Sequence, residues 1–298
     1  MFACSPHCLV DRRGLLLAGA ATLAACTLAP DRDHADADAP RAEPLRKSVR
    51  TAWVFSSGGP RGFVHVGVLK ALQQLRLTPD LIVGASAGAL VGSLFASGMQ
   101  ATDMEALALD FHPFGVARWA VGADELLSGA GIADMVRQRA LVPWLERMPI
   151  PMACVTARRR DGAVVALTTG DVGIAVQAAT AIEGRFAPVR IRGEQYVDAD
   201  WSTPLPVRVA RALGAQRVLA IDASAHMDRI PPNAQAYLAS DLRKKSLVDA
   251  EAVLADLVIK PDFGYWAGIS REYRQRVMAA GYRDTLVHAS ALQELHAS

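Results

Sequence analysis

Gly84-Ala85-Ser86-Ala87-Gly88 sets a serine between the apolar run Leu81-Ile82-Val83 and the helix-like run Ala89 to Phe95. A strand that turns sharply into a helix lifts the residue at the turn above the sheet, and only small flanking residues leave room for it. A serine held this way can attack an acyl carbon, the arrangement of a GxSxG nucleophile elbow. Taken alone, Ser86 reads as a small buried polar residue, because such pentapeptides are common in Ala- and Gly-rich chains. Attack on a carbonyl also creates an oxyanion, which needs fixed N–H donors. Ser57-Gly58-Gly59-Pro60-Arg61-Gly62 lies between the strand-like Thr51 to Phe55 and the helix-like Val64 to Leu75, and a loop of that kind exposes backbone N–H groups beside a helix start. The same glycines read alone make a tight turn. Dinucleotide binding fails on spacing, since GxGxxG would need glycine at position 57 or 61, where Ser57 and Arg61 stand.

A serine hydroxyl is a poor nucleophile until something removes its proton. Asp198 follows the strand-like Gln195-Tyr196-Val197, so its carboxylate can stand at the same sheet edge as Ser86. Alone it reads as a turn aspartate beside Asp200 and Ser202. The order Ser86, Asp198, His226 also satisfies a triad, although His226 lies in a loop after Arg217 to Ile221, the context of a solvated histidine. His65, on the helix after the glycine loop, reads as a packing or loop-supporting residue. No HExxH or paired metal-ligand spacing occurs, so neither metal nor cofactor is expected.

With both loops in hand, Phe55 to Gly98 resembles the patatin-like phospholipase family. Gly58 to Gly62 followed by His65-Val66-Gly67-Val68-Leu69 matches its first block, and the elbow its second. Thr169-Gly170-Asp171 through Phe186-Ala187-Pro188-Val189 is similar to the third, and Tyr196-Val197-Asp198-Ala199-Asp200 followed by Pro204-Leu205-Pro206-Val207 to the fourth. Ala255 to Asp262 resembles the last strand of the family, so the likeness runs over roughly residues 51 to 290. It implies a Ser86–Asp198 dyad in which the aspartate is itself the base, an acyl-enzyme intermediate, and an oxyanion held by the loop of Gly58, Gly59, Pro60, Arg61 and Gly62 with Ala87. Gly84 and Gly88 frame the elbow. The implied activity is that of a serine acyl hydrolase cleaving lipid carboxylic esters, of phospholipase A or lysophospholipase type. A general carboxylesterase or thioesterase with the same dyad is the alternative within enzymes, and a catalytically degenerate envelope-bound binding or scaffold lipoprotein the alternative outside them.

Three positions depart from the family pattern. Ala199 replaces the glycine usual after the aspartate, Asp200 stands where a small residue is expected, and Glu183 stands where proline is frequent. A second carboxylate raises the pKa of one of the pair if both point the same way, and alternation along a strand argues against that. Arg61 reads as a surface cation, or as a group that orients the loop and attracts phosphate.

The chain has 298 residues, 51% hydrophobic, enough for one large core or at most two. Strand-like and helix-like runs alternate, which implies an α/β fold with a mainly parallel central sheet; the resemblance specifies a patatin-like three-layer α/β/α domain over residues 48–298. A net charge of +2, without basic runs interleaved with aromatics, argues against a nucleic-acid partner. Arg12-Arg13 before the apolar run Gly14 to Ala25 has the layout of a secretory signal over residues 1–25, with a partial twin-arginine match. Leu23-Ala24-Ala25-Cys26 has the form of a bacterial lipobox. It implies cleavage before Cys26, acylation of its thiol, and export to the periplasm or outer membrane on an N-terminal lipid anchor; the other reading is a plain signal cut near Ala25. Residues 26–47, rich in Asp, Ala, Pro and Arg, are expected to form a flexible tether. Cys4 and Cys8 would leave with the signal, so Cys154 remains as a buried, inert thiol. The expected partners are a phospholipid or another acyl-ester lipid, and the membrane.

Chain selectivity would reside in Met104 to Pro149, where Trp119, Leu126, Leu127 and Trp144 line a lipid channel or belong to the core. Arg243-Lys244-Lys245 reads as a solvated helix face, or as one that meets anionic headgroups.

Overall fold

The structure, a computed structural model, describes residues 28–112 and 115–297. Cys26 and the leader of residues 1–25 lie outside the described residues. The strands in chain order are β1 (Leu28–Pro30), β2 (Asp33–His34), β3 (Thr51–Phe55), β4 (Leu81–Ala85), β5 (Arg118–Val121), β6 (Leu127–Ser128), β7 (Met152–Arg158), β8 (Val164–Leu167), β9 (Val189–Ile191), β10 (Glu194–Asp198), β11 (Arg217–Ile221) and β12 (Leu257–Ile259). The α-helices are α1 (Val64–Gln74), α2 (Ala87–Ala96), α3 (Ala101–Leu109), α4 (Ala130–Arg139), α5 (Val172–Ala179), α6 (Val207–Ala212), α7 (Gln235–Ala252), α8 (Arg271–Val287) and α9 (Ala289–Ala297).

The main sheet runs β12-β11-β3-β4-β7-β10-β9-β2, with β8 also paired to β7. Its first five strands are parallel, and β10 and β9 pair antiparallel beyond them. Strands buried on both faces read as unbroken apolar runs, which is why Thr51–Phe55 and Leu81–Ala85 are visible in the sequence. Alternation along the strands sorts the side chains by bulk. Trp53, Phe55, Ile82, Leu219 and Ile221 face a core shared with α1, α2 and α5. Ala52, Val54, Val83, Ala153 and Ala220 face the opposite core, covered by α6 and the end of α7. The sheet between two helical layers is the three-layer architecture expected. Cys154 points into the first core and is fully buried, which pushes its thiol up to about 12 and keeps it protonated.

Strand β7 decides where the site forms. It gives residues 152–155 to β4 and residues 156–158 to β10, while β8 takes residues 154–157 and so overlaps both. A strand has two hydrogen-bonding edges. Because β8 occupies one of them, β4 and β10 must lie end to end along the other, with their C-terminal ends meeting. Ala85 pairs with Val155 and Asp198 with Thr156, the next residue.

The segment read as a tether is not free where it is described. Leu28 to Pro30 pair with Trp119 to Val121 of β5 in a small separate sheet, β1-β5-β6. Asp33 and His34 pair with β9, and the Arg41 amide donates to Thr169 O at 3.1 Å. Polar and proline-rich composition predicts solvation here, but strand edges offered by β5 and β9 give the backbone groups partners.

Candidate active site

Ser86 follows β4 directly and sits at the N-cap of α2 with φ 50° and ψ −119°, a backbone conformation that a non-glycine residue adopts only when its surroundings enforce it. The enforcement is steric. A Cβ on Gly88 would come within 2.2 Å of Phe55 O, and one on Gly84 within 2.4 Å of Gly88 O, so only glycine allows the strand, the turn and the helix to close this tightly. Ala89 and Leu90 donate back to Ser86 O, at 2.9 and 3.1 Å. Earlier amides in the first turn of α2, including that of Ala87, have no intrahelical acceptor.

The meeting of β4 and β10 sets Ser86 against Asp198. Both side chains are buried, and the Ser86 hydroxyl interacts with the Asp198 carboxylate in the sense that favours its charged form. Oδ1 accepts the Asp200 amide at 2.9 Å, whereas Oδ2 has no geometrically complete hydrogen bond within the protein. Beyond its interaction with Ser86, the carboxylate thus keeps a buried oxygen, Oδ2, that no other protein group engages. Burial raises the Asp198 carboxyl to about 7, and the Asp200 charge pushes in the same direction.

That influence of Asp200 corrects the expectation that alternation would separate the two carboxylates. After Asp198 the chain leaves the sheet in a 3-10 turn, Ala199–Trp201, which folds the Asp200 amide back onto Asp198. Burial alone would raise Asp200. Lys244 Nζ at 2.6 Å from its Oδ1, and the Ser57 hydroxyl donating to the same oxygen, hold it low instead. Asp200 thus joins the turn after Asp198, the glycine loop and α7. Sequence reasoning missed both partners: nothing local marks Lys244 within a run of three basic residues.

The glycine loop begins as a 3-10 helix, Gly59–Phe63. Of the residues expected to hold an oxyanion, Pro60 carries no N–H, and the Arg61 amide donates to Gly58 O at 3.1 Å. Gly58 and Gly59 remain as the donors the loop can offer. Gly62 serves proximity: a Cβ there would sit 2.4 Å from the Ala87 Cβ, so this glycine lets the loop approach the elbow. The Arg61 guanidinium donates to Tyr265 O at 3.0 Å and so ties the loop to the segment before α8. His65 is fully buried, with its Nε2–H donating to Ser56 O at 2.9 Å; burial lowers it to about 4, so it is a neutral support of the loop, as expected.

Two cavities meet at Ser86. One, of about 240 Å³, is apolar and runs between Leu90 and Leu94 of α2, Met104 and Ala108 of α3, and Ile132 and Met135 of α4. The other, of about 320 Å³, is polar and brings Arg61, Arg185, Arg243 and Lys244 around Asp198 and Asp200. The stretch Met104 to Pro149 does contribute to the apolar cavity, but Trp119, Leu126, Leu127 and Trp144 do not line it. Helical spacing from α3 and α4 carries the lining. His226 is outside both cavities; its Nε2–H donates to Pro261 O at 2.8 Å, so it does not complete a triad. Glu183 lines the polar cavity and lies 3.8 Å from Arg159.

A seryl oxygen on a strained turn, a buried carboxylate beside it, glycine-loop amides and an apolar cavity together suit transfer of an acyl group. Residues 53–211 match the family model described as patatin-like phospholipase. An uncharacterized NTE family protein of Mycobacterium tuberculosis is 30% identical over 177 residues, which cover 58% of this chain and 49% of that protein. Lysophospholipase NTE1 of Mycosarcoma maydis is 27% identical over 184 residues, 60% of this chain and 10% of that one. The chain therefore spans about half, or less, of the length of these relatives. Among solved structures, VipD from Legionella pneumophila aligns with a TM-score of 0.49 at 14% identity, over 87% of this chain and 71% of its own.

Proposed function

The chain belongs to the patatin-like phospholipase family, and from that premise we propose that it is a serine acyl hydrolase of lipid carboxylic esters, with Ser86 as nucleophile and Asp198 as base. The observation that carries this reading is Ser86 on its strained turn at the junction of an apolar and a polar cavity, beside a buried carboxylate. The apolar cavity takes the acyl chain, and the polar one takes the headgroup side of the ester.

Ser86 Oγ bonds to the acyl carbon as its proton passes to Asp198, and the carbonyl electrons move onto oxygen. The amides of Gly58, Gly59 and Ala87 stabilise that oxyanion. Collapse breaks the ester C–O bond, and Asp198 returns the proton to the departing alkoxide, leaving acyl-Ser86 and an alcohol. Water then attacks the acyl carbon, giving a proton to Asp198 that Ser86 Oγ recovers as the fatty acid leaves. The name of the Mycosarcoma relative favours a lysophospholipid among candidate esters.

A fluorophosphonate probe is expected to label the wild type and not Ser86→Ala. Turnover of a lysophosphatidylcholine should fall at least roughly 10³-fold in Ser86→Ala and Asp198→Asn. Failure of folded wild type to label would leave a non-catalytic scaffold as the better account. Labelling with turnover of simple esters or thioesters alone would favour the general esterase. We further propose that Cys26 carries lipid and holds the enzyme at an exported membrane face, a reading supported by the lipobox form of residues 23–26.

A further inference from the structure

The small sheet β1-β5-β6 has an apolar outer face. Its strands alternate, with Ala29 buried and Leu28 and Pro30 exposed on β1, and Trp119 and Val121 exposed on β5. The parallel register pairs Leu28 with Trp119 and Pro30 with Val121, so these four side chains share one side. Leu28 is 45% exposed, Trp119 58%, Val121 48%, and Leu126, in the turn between β5 and β6, 75%. Two-residue alternation normally gives a surface sheet a polar outer face. Here it gives an apolar one with an indole among its exposed side chains.

Two further features say what covers it. Cys26 lies only two positions before Leu28, so an acyl chain on Cys26 enters a membrane within a few ångströms of this sheet. On its other side the sheet is continuous with the active site: Leu127 of β6 bridges to Phe186, the Ala187 amide donates to Leu127 O at 2.7 Å, and Phe186 lines the apolar cavity that reaches Ser86. Among the described residues no helix is long and apolar enough to cross a membrane.

We propose that the outer face of β1-β5-β6, carrying Leu28, Trp119 and Val121, rests on the surface of a phospholipid bilayer and sets the mouth of the acyl cavity against it. Tryptophan suits such an interface, because its ring is apolar while its N–H still reaches water and headgroups. The surface deepens the reading of a lipid hydrolase tethered at Cys26, and its binding can be measured without any catalysis.

The test uses the full chain with Cys26→Ser, so that no acyl group contributes, and vesicles of equimolar phosphatidylglycerol and phosphatidylethanolamine. Flotation should show binding, and Trp119→Ser with Val121→Ser in the same background should weaken it at least about tenfold. Both side chains are exposed, so the melting temperature and the turnover of a monomeric nitrophenyl butyrate should stay at the parent level. Leu28→Ser gives the same readout if the double variant does not fold. Equal vesicle binding with and without the substitutions overturns the proposal, as does a sedimentation shift showing that the face pairs with a second copy. Loss of butyrate turnover in the parent itself would count against the hydrolase reading and leave the binding result standing.

Discussion

In the proposed mechanism Asp198 acts as a base near neutral pH, and its surroundings suit it to that task. Burial raises it to about 7, with Asp200 adding to the rise and Lys244 opposing it. Arg61, Glu183, Arg185, Asp241 and Arg243 complete the charged groups around the polar cavity. The base works deprotonated, so kcat/KM for a neutral nitrophenyl ester should increase with pH through a limb near 7. Asp200→Asn removes a charge that raises Asp198, and the limb should move to lower pH. Lys244→Gln removes one that lowers it and leaves Asp200 unpaired, so the limb should move to higher pH, with Lys244→Arg returning it. Shifts in the same direction, or none, would show that Asp200 and Lys244 only hold the fold. Ser86 and Asp198 were legible because their neighbours are local: glycines on one side, an apolar strand on the other. The part played by Asp200 was not legible, since it depends on a 3-10 turn that the pattern of alternating residues does not reveal.

At the scale of elements, β3, α1 and β4 fall where apolar runs bounded by glycine or proline predict them, because both strands are buried on both faces and helix α1 is buried around most of its circumference, with α8 against Gly67. The end-to-end placement of β4 and β10 along β7 could not be read that way; it follows from which residues of β7 remain free once β8 has paired. Helices α3 and α4 line the apolar cavity, the proposed acyl site, with residues that look like ordinary core in the sequence. Ala108 is buried at the wall of that cavity. Ala108→Phe should fill it, lowering kcat/KM for a palmitoyl ester about tenfold or more while a butyryl ester loses less than about threefold. Equal losses on both esters would move the acyl chain elsewhere.

At the scale of the whole molecule, residues 28–47 pack against the domain where a free tether was expected. They run along the domain through β1, β2 and the Arg41–Thr169 bridge, and pairing is already present at Leu28, two positions after Cys26 in the sequence. If Cys26 is acylated, metabolic labelling of the producing cell with an alkyne fatty acid should mark the wild type and not Cys26→Ser, and the unlabelled variant should wash off membranes more readily than the wild type while keeping the weaker binding of the β1-β5-β6 face. Labelling that persists in Cys26→Ser would place the lipid on another residue or show that the leader is cut elsewhere. The sequence by itself determined the elbow serine and its flanking glycines, and the alternation of strand and helix, because each depends on steric and apolar preferences acting within a few residues. Only the tertiary structure decided that Asp200 meets Ser57 and Lys244, that the acyl cavity opens between α2, α3 and α4, and that β1 joins β5. Those contacts join residues tens of positions apart, and their register is set by which strand edges and apolar faces remain unpaired as the sheet is built.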